Sequence, residues 1–127
     1  MHKLTIALAA SLVLIGGVVR AADAELDMDL MQTIEDTNKS LSSNIATQNA
    51  QGSTADAREL QELFGKVEAH FVSKGGADDA VDLSRKSKEL AESIVKSVAA
   101  KDFNTATDSA TTLSRTCRTC HTFYKKS

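Results

Sequence analysis

Downstream of Glu25 the apolar residues fall three and four positions apart, the spacing that gathers them on one face of an α-helix. Four such runs follow one another. The first, over about residues 25–48, puts Leu26, Leu30, Ile34, Leu41 and Ile45 on one stripe; Ser40, Ser42, Ser43 and Thr47 thin it, and Gly52 is expected to break it. The second is expected to start at Ser53 or Thr54, with Asp56 and Glu59 in its first turn. It turns Leu60, Leu63, Phe64, Val67 and Phe71 inward and ends at the Gly75-Gly76 pair. The third begins near Ala77, where Asp78, Asp79 and Asp82 complement the positive end of the helix dipole. It buries Leu83, Leu90, Ala91, Ile94 and Val98 and closes at Lys101. Asp102 then offers a carboxylate to the free N–H groups of a fourth helix, whose stripe is Phe103, Ala106, Ala110, Leu113, Cys117 and Tyr124. Four amphipathic segments of about 20 residues with short joints predict an all-α fold, an antiparallel up-down-up-down four-helix bundle about 30 Å long.

The first residues have a different pattern. Met1-His2-Lys3 precedes an apolar run over 4–19, followed by small residues at Ala21, Ala22 and Ala24. The run is shorter than the about 20 residues of a membrane span and has the layout of a secretory signal peptide, cut after Ala24 or after Ala21. Residues 1–24 are therefore expected to be removed on export, leaving one domain over 25–127. That domain carries 13 Lys and Arg against 16 Asp and Glu, a formal charge of −3, too modest for a general nucleic-acid binder. Proline and tryptophan are absent, and aromatics are 4% of the chain, so a domain this small has little side-chain bulk for a core.

The chain has two cysteines, and both lie in Cys117-Arg118-Thr119-Cys120-His121. Two thiols three positions apart, with a histidine next to the second, form the pattern that binds haem covalently. Each thiol can add across one vinyl group of the haem edge, and the imidazole then binds the iron. A redox dithiol needs its first cysteine at a helix N-terminus, where the dipole lowers the thiol pKa, whereas this pair lies near a predicted C-terminus. A zinc site needs a fourth ligand, and His70 is about 45 residues away, outside the usual zinc spacings. At 100° per residue His121 lies about 40° and Cys120 about 55° from the centre of the helix-four stripe, so both are expected to face inward.

The sixth iron ligand determines what such a haem does. After cleavage Met28 and Met31 remain, both at the start of helix one, which an antiparallel bundle sets beside the end of helix four. With the helix-one stripe centred near Leu41, Met31 is about 80° away, at the edge of the inner face, and Met28 about 140° away, towards solvent. Met31 is thus the better candidate ligand, core filling being its other use.

The C-terminal residues Cys117-Arg118-Thr119-Cys120-His121-Thr122-Phe123-Tyr124-Lys125 match C-[KR]-x-C-H-x-x-[YF]-[RK] at every specified position. They resemble the last helix of the four-helix-bundle cytochromes, namely the class II c-type cytochromes, which include cytochrome c′, and cytochrome b562. Lys101-Asp102-Phe103 with Ala106 and Ala110 looks like that family's short turn and alanine-rich last helix, and Met31-Gln32-Thr33-Ile34 looks like the near-terminal methionine segment of the b562 type. The resemblance implies a periplasmic monohaem electron carrier rather than an enzyme. It would hold one covalent haem c through Cys117 and Cys120, with its iron between His121 and Met31. The partners implied are redox proteins, with no membrane span; the b562 type and the serine-rich outer face of helix one favour a monomer, and the cytochrome c′ type a dimer through helix one. The alternative within the family is a five-coordinate, cytochrome c′-like protein that binds NO or CO. A peroxidase would need a distal His–Arg pair, which is not apparent.

No acid follows Asp108, while Arg115, Arg118, Lys125 and Lys126 crowd the same stretch. They can complement a helix C-terminus, hold haem propionates, for which Arg118 or Arg115 is placed best, or meet an acidic redox partner. Phe64, Phe71 and Leu30 are candidate pocket walls and equally candidate core, and His70 reads as a histidine near a helix end.

Overall fold

A computed structural model describes residues 28–124, with side chains through Thr122. The signal-type segment 1–24, Leu26, Lys125, Lys126 and the side chains of Phe123 and Tyr124 lie outside the described residues. The described chain forms four helices: α1 (Met28–Ala46), α2 (Ala50–Lys74), α3 (Asp78–Ala99) and α4 (Phe103–Tyr124). Each joint is three residues long. α1 packs on α2 and α4, and α3 packs on the same two, so the helices make a ring whose diagonals do not touch.

Cross-helix bonds fix the registers. Asn44 Nδ2 donates to Asp56 at 2.7 Å across the first joint, Lys88 Nζ to Glu68 at 3.0 Å across the second, and the Ser93 and Ser109 hydroxyls lie 3.3 Å apart across the third. In each pair one partner lies before the joint and the other after it, the contact of an antiparallel helical hairpin. α1 and α4 also run antiparallel: Asn38 meets Ser114, while the later residues Ser42, Ile45 and Ala46 lie opposite the earlier Thr107, Ala110 and Thr111.

The apolar stripes form the core. Leu41, Leu60, Ile94 and Leu113 are fully buried, around them Ile34, Ile45, Leu63, Phe64, Val67, Phe71, Ala91 and Val98 are buried, and Leu30, Leu90 and Phe103 pack against this cluster. Leu83 is half-buried and outside it; α3 instead buries Ala80, Ser84, Ser87 and Ser97. Hydropathy alone cannot mark such serines. Their hydroxyls donate to the carbonyls of Ala80, Leu83 and Ser93, four residues back, at 2.6, 2.8 and 2.8 Å, so they enter the interior already satisfied.

The break between α1 and α2 falls earlier than Gly52. Gln48 takes a left-handed φ of 55°, and Asn49 caps α2 by accepting from the Gly52 N–H at 3.0 Å, which places Gly52 inside the first turn. α2 thus starts at Ala50, ahead of the expected start at Ser53 or Thr54. Gly52 is needed for a different reason: a Cβ there would stand 2.7 Å from both Asn44 Cγ and Asn49 Nδ2. Those two amides are tied to each other at 3.1 Å and to Asp56 at 2.7 Å, so they cannot give way without losing bonds. Gly52→Ala is expected to lower stability by about 1–2 kcal/mol, because the lost bonds outweigh the about 1 kcal/mol that alanine gains in a helix interior. The urea midpoint of the variant measures it. Asp102 caps α4 as expected: its carboxylate accepts from the Thr105 N–H at 3.0 Å and hydroxyl at 2.6 Å.

Between α2 and α3, Glu68 accepts from Lys88 at 3.0 Å and Arg85 at 3.4 Å, with only 17% of its side chain exposed. The Lys88 hydrogen bond, followed by the charges of Lys88 and Arg85, holds its carboxyl below the ordinary 4.5, against the opposing pull of burial. A depressed folded pKa stabilises above the unfolded value and loses that stability as pH falls through the folded one. The urea midpoint is therefore expected to drop as pH falls below 4.5. In Glu68→Gln that acid limb should be shallower, from a lower plateau at neutral pH.

Candidate haem-attachment site

α4 runs unbroken through the cysteine motif to Tyr124. Threonine is a weak helix former, and here Thr116, Thr119 and Thr122 each satisfy their hydroxyl within the helix by donating to the carbonyl four residues earlier, at 3.0, 3.1 and 2.9 Å. Cys117 is half-buried and packs against the core cluster, and Cys120 is half-buried one turn later. Neither forms a disulfide.

Burial pushes the Cys117 thiol up to about 11, with Cys120 adding to the shift, and burial raises Cys120 as well. A raised thiol pKa is the opposite of what a nucleophilic dithiol requires. No group of three His, Cys, Asp or Glu side chains able to hold a metal ion occurs among the described residues. A haem makes no such demand, because the macrocycle brings four nitrogen donors and the protein adds only axial ones.

The inward orientation expected of the whole motif holds for the thiols in part and not for the histidine: His121 is exposed. Met28, at the start of the described part of α1, is 83% exposed.

The seam itself places the second candidate ligand. Asn38 Nδ2 donates to Ser114 Oγ at 3.3 Å. Met31 lies seven residues before Asn38, and His121 seven after Ser114. Seven residues are two turns, about 10 Å of rise and within about 20° of the same face. In antiparallel helices both steps lead towards the same end. Met31 and His121 thus come to the same level along the two helices, with Cys117 and Cys120 in the same turn of α4 as His121. Met31 is half-buried and packs on the core, while Met28 points to solvent, as the periodicity predicts.

The walls at this end are unequal. α3 brings Ala80, Ser84 and Ser87 to the interior, and α2 brings Val67 and Phe71, the latter only 3% exposed. Phe64 and Phe71 belong to the core, and Leu30 packs against it half-buried. His70 is half-buried with its ring edge-on to Phe71 at 5.1 Å, on α2. Arg115 and Arg118 are exposed, and neither pairs with a carboxylate among the described residues. A groove of about 190 Å³ between α1 and α4 lies towards the other end of the seam, lined by Ser42, Ile45, Thr107, Ala110 and Ser114 among others. It is smaller than the roughly 300–1,000 Å³ of ordinary ligand pockets and carries none of the donor residues.

Asn38 and Ser114 escaped the sequence reading. The signal was there: each is one heptad from a candidate iron ligand, on helices expected to be antiparallel. No protein-family model, curated protein or solved structure matches this chain. No helix among the described residues is long and apolar enough to cross a membrane.

Proposed function

We propose that this chain is an exported monohaem c-type cytochrome of the four-helix-bundle kind, an electron carrier rather than an enzyme. The observation that carries the reading is the register of α1 on α4, which brings Met31 to the level of His121 on the helix that carries the half-buried Cys117 and Cys120. Bound haem supplies an iron that takes up and releases one electron. The chain supplies everything else. Cys117 and Cys120 would hold the haem edge, each thiol S–H adding across one vinyl group to give a thioether with no oxidant consumed. His121 and Met31 are neutral donors that can stay bound in both oxidation states, and methionine raises the potential. The packed helices limit rearrangement between the two states. Arg118, with Arg115, is free to meet the propionates or the acidic surface of a redox partner. The signal-type N-terminus supports a periplasmic location, where covalent attachment follows export.

One observation favours a second reading. Met31 is only half-buried, which leaves the side opposite His121 accessible to small ligands. The protein would then be five-coordinate and bind NO or CO. Absorption spectra of the haem-loaded protein, oxidised and reduced, with and without CO, separate the two. A low-spin spectrum indifferent to CO is the expected result. A high-spin spectrum that shifts at once on adding CO identifies the gas binder, and a protein that takes up no haem ends both readings.

A further inference from the structure

We infer that Asn38 and Ser114 are positioning residues whose hydrogen bond sets whether the Met31 thioether reaches the iron. The inference rests on the haem reading above. Among the described residues, α1 and α4 make the sparsest contact of the four neighbouring helix pairs, so apolar packing there leaves this seam the freest to slide or open. Yet this is the seam that must hold one ligand on each side. The 3.3 Å bond crosses it two turns from Met31 on one helix and two turns from His121 on the other. A slip of one residue moves a side chain by about 1.5 Å along the axis and about 100° around it, enough to take the sulfur away from the iron.

Asn38 is also a costly choice for packing alone. Its Oδ1 is buried with no hydrogen-bond partner, where an aliphatic side chain would leave nothing unsatisfied. A side chain that carries such a penalty while bridging two helices fits a role in register rather than in bulk stability. Ser114 has a matching constraint: it is half-buried, within one turn of Cys117, and its hydroxyl is the acceptor.

The test uses haem-loaded Asn38→Leu, Ser114→Ala and their double variant, with Ser93→Ala as the control, because it cuts a comparable bond between α3 and α4. The readouts are the rate of CO binding to the ferrous protein, the methionine-to-iron charge-transfer absorption of the ferric protein and the thermal midpoint of the haem-free chain. Each seam variant should speed CO binding about five- to tenfold and weaken the charge-transfer absorption, the size expected for one lost hydrogen bond. The double variant should do no more than either single, since both remove one interaction. Ser114→Thr, which keeps the hydroxyl, should restore the wild-type values. The haem-free midpoint of Asn38→Leu should not fall, which separates register from stability. If Met31→Ala opens the iron to CO but the seam variants bind CO as the wild type does, or if Ser93→Ala changes binding as much as they do, the inference is overturned and the haem reading stands. If Met31→Ala changes nothing, methionine ligation is wrong and the inference fails with it.

Discussion

Replacing both Cys117 and Cys120 by serine is expected to abolish covalent haem completely. The wild-type chain should keep its haem through a denaturing gel and show the mass of one haem added to the chain. The double variant should lose both signals, and each single variant should keep one link and give an intermediate spectrum. A hydroxyl is a poor substitute here, because it does not add to a vinyl group under conditions where a thiol does. The serine at 117 also puts a hydroxyl where a half-buried thiol packs on the core, although a back-bond to the carbonyl of Leu113 is open to it. Folding should therefore survive. What is lost is linkage: a ligand held only reversibly stabilises by RT ln(1 + [L]/Kd), about 4 kcal/mol at 1,000 times Kd, and that term vanishes on dilution. A tethered haem does not dilute away. The thermal midpoint of the double variant should consequently depend on added haem, while that of the wild type should not. If the double variant still carries haem through denaturation, Cys117 and Cys120 are not the attachment points.

The four helices and most of their inner faces were legible because leucine, isoleucine, valine and phenylalanine recur at helical spacing. What stayed hidden has physical causes. The buried serines of α3 bond to their own helix, so no apolar side chain marks the face at Ser84 and Ser87. The start of α2 was placed late because a glycine reads as a breaker, whereas Gly52 sits within a first turn capped by Asn49. At the site, periodicity distinguished Met31 from Met28, and their burial follows the same order. It misjudged His121, which is exposed, because a helical stripe says which way a residue points but not how much of it its neighbours cover. Asn38 and Ser114 look like ordinary polar positions until two helices are brought together. Only tertiary register turns them into partners.

Met31→Ala separates the electron carrier from the gas binder more sharply than any other single change. In the six-coordinate reading the thioether occupies the distal position, and CO enters only in the small fraction of time when the sulfur is away. Removing it makes the open state permanent, which should raise the CO binding rate of the ferrous protein on the order of a hundredfold if the open fraction is about 1%. The methionine-to-iron charge-transfer absorption should disappear, and the ferric spectrum should become high-spin. The potential should fall, since methionine favours the ferrous state; each tenfold of that preference is about 59 mV for a one-electron couple. Met31 is only half-buried, so its truncation should cost less than the about 2–5 kcal/mol of a fully buried methionine, and the bundle should remain folded. Met28→Ala is the matched control, three residues earlier and 83% exposed, and should leave spectrum, potential and CO binding unchanged. In the five-coordinate reading the wild type already binds CO quickly and Met31→Ala changes only packing. A rise on removing Met31, with none on removing Met28, assigns the sixth ligand to the one methionine that the α1–α4 register sets level with His121.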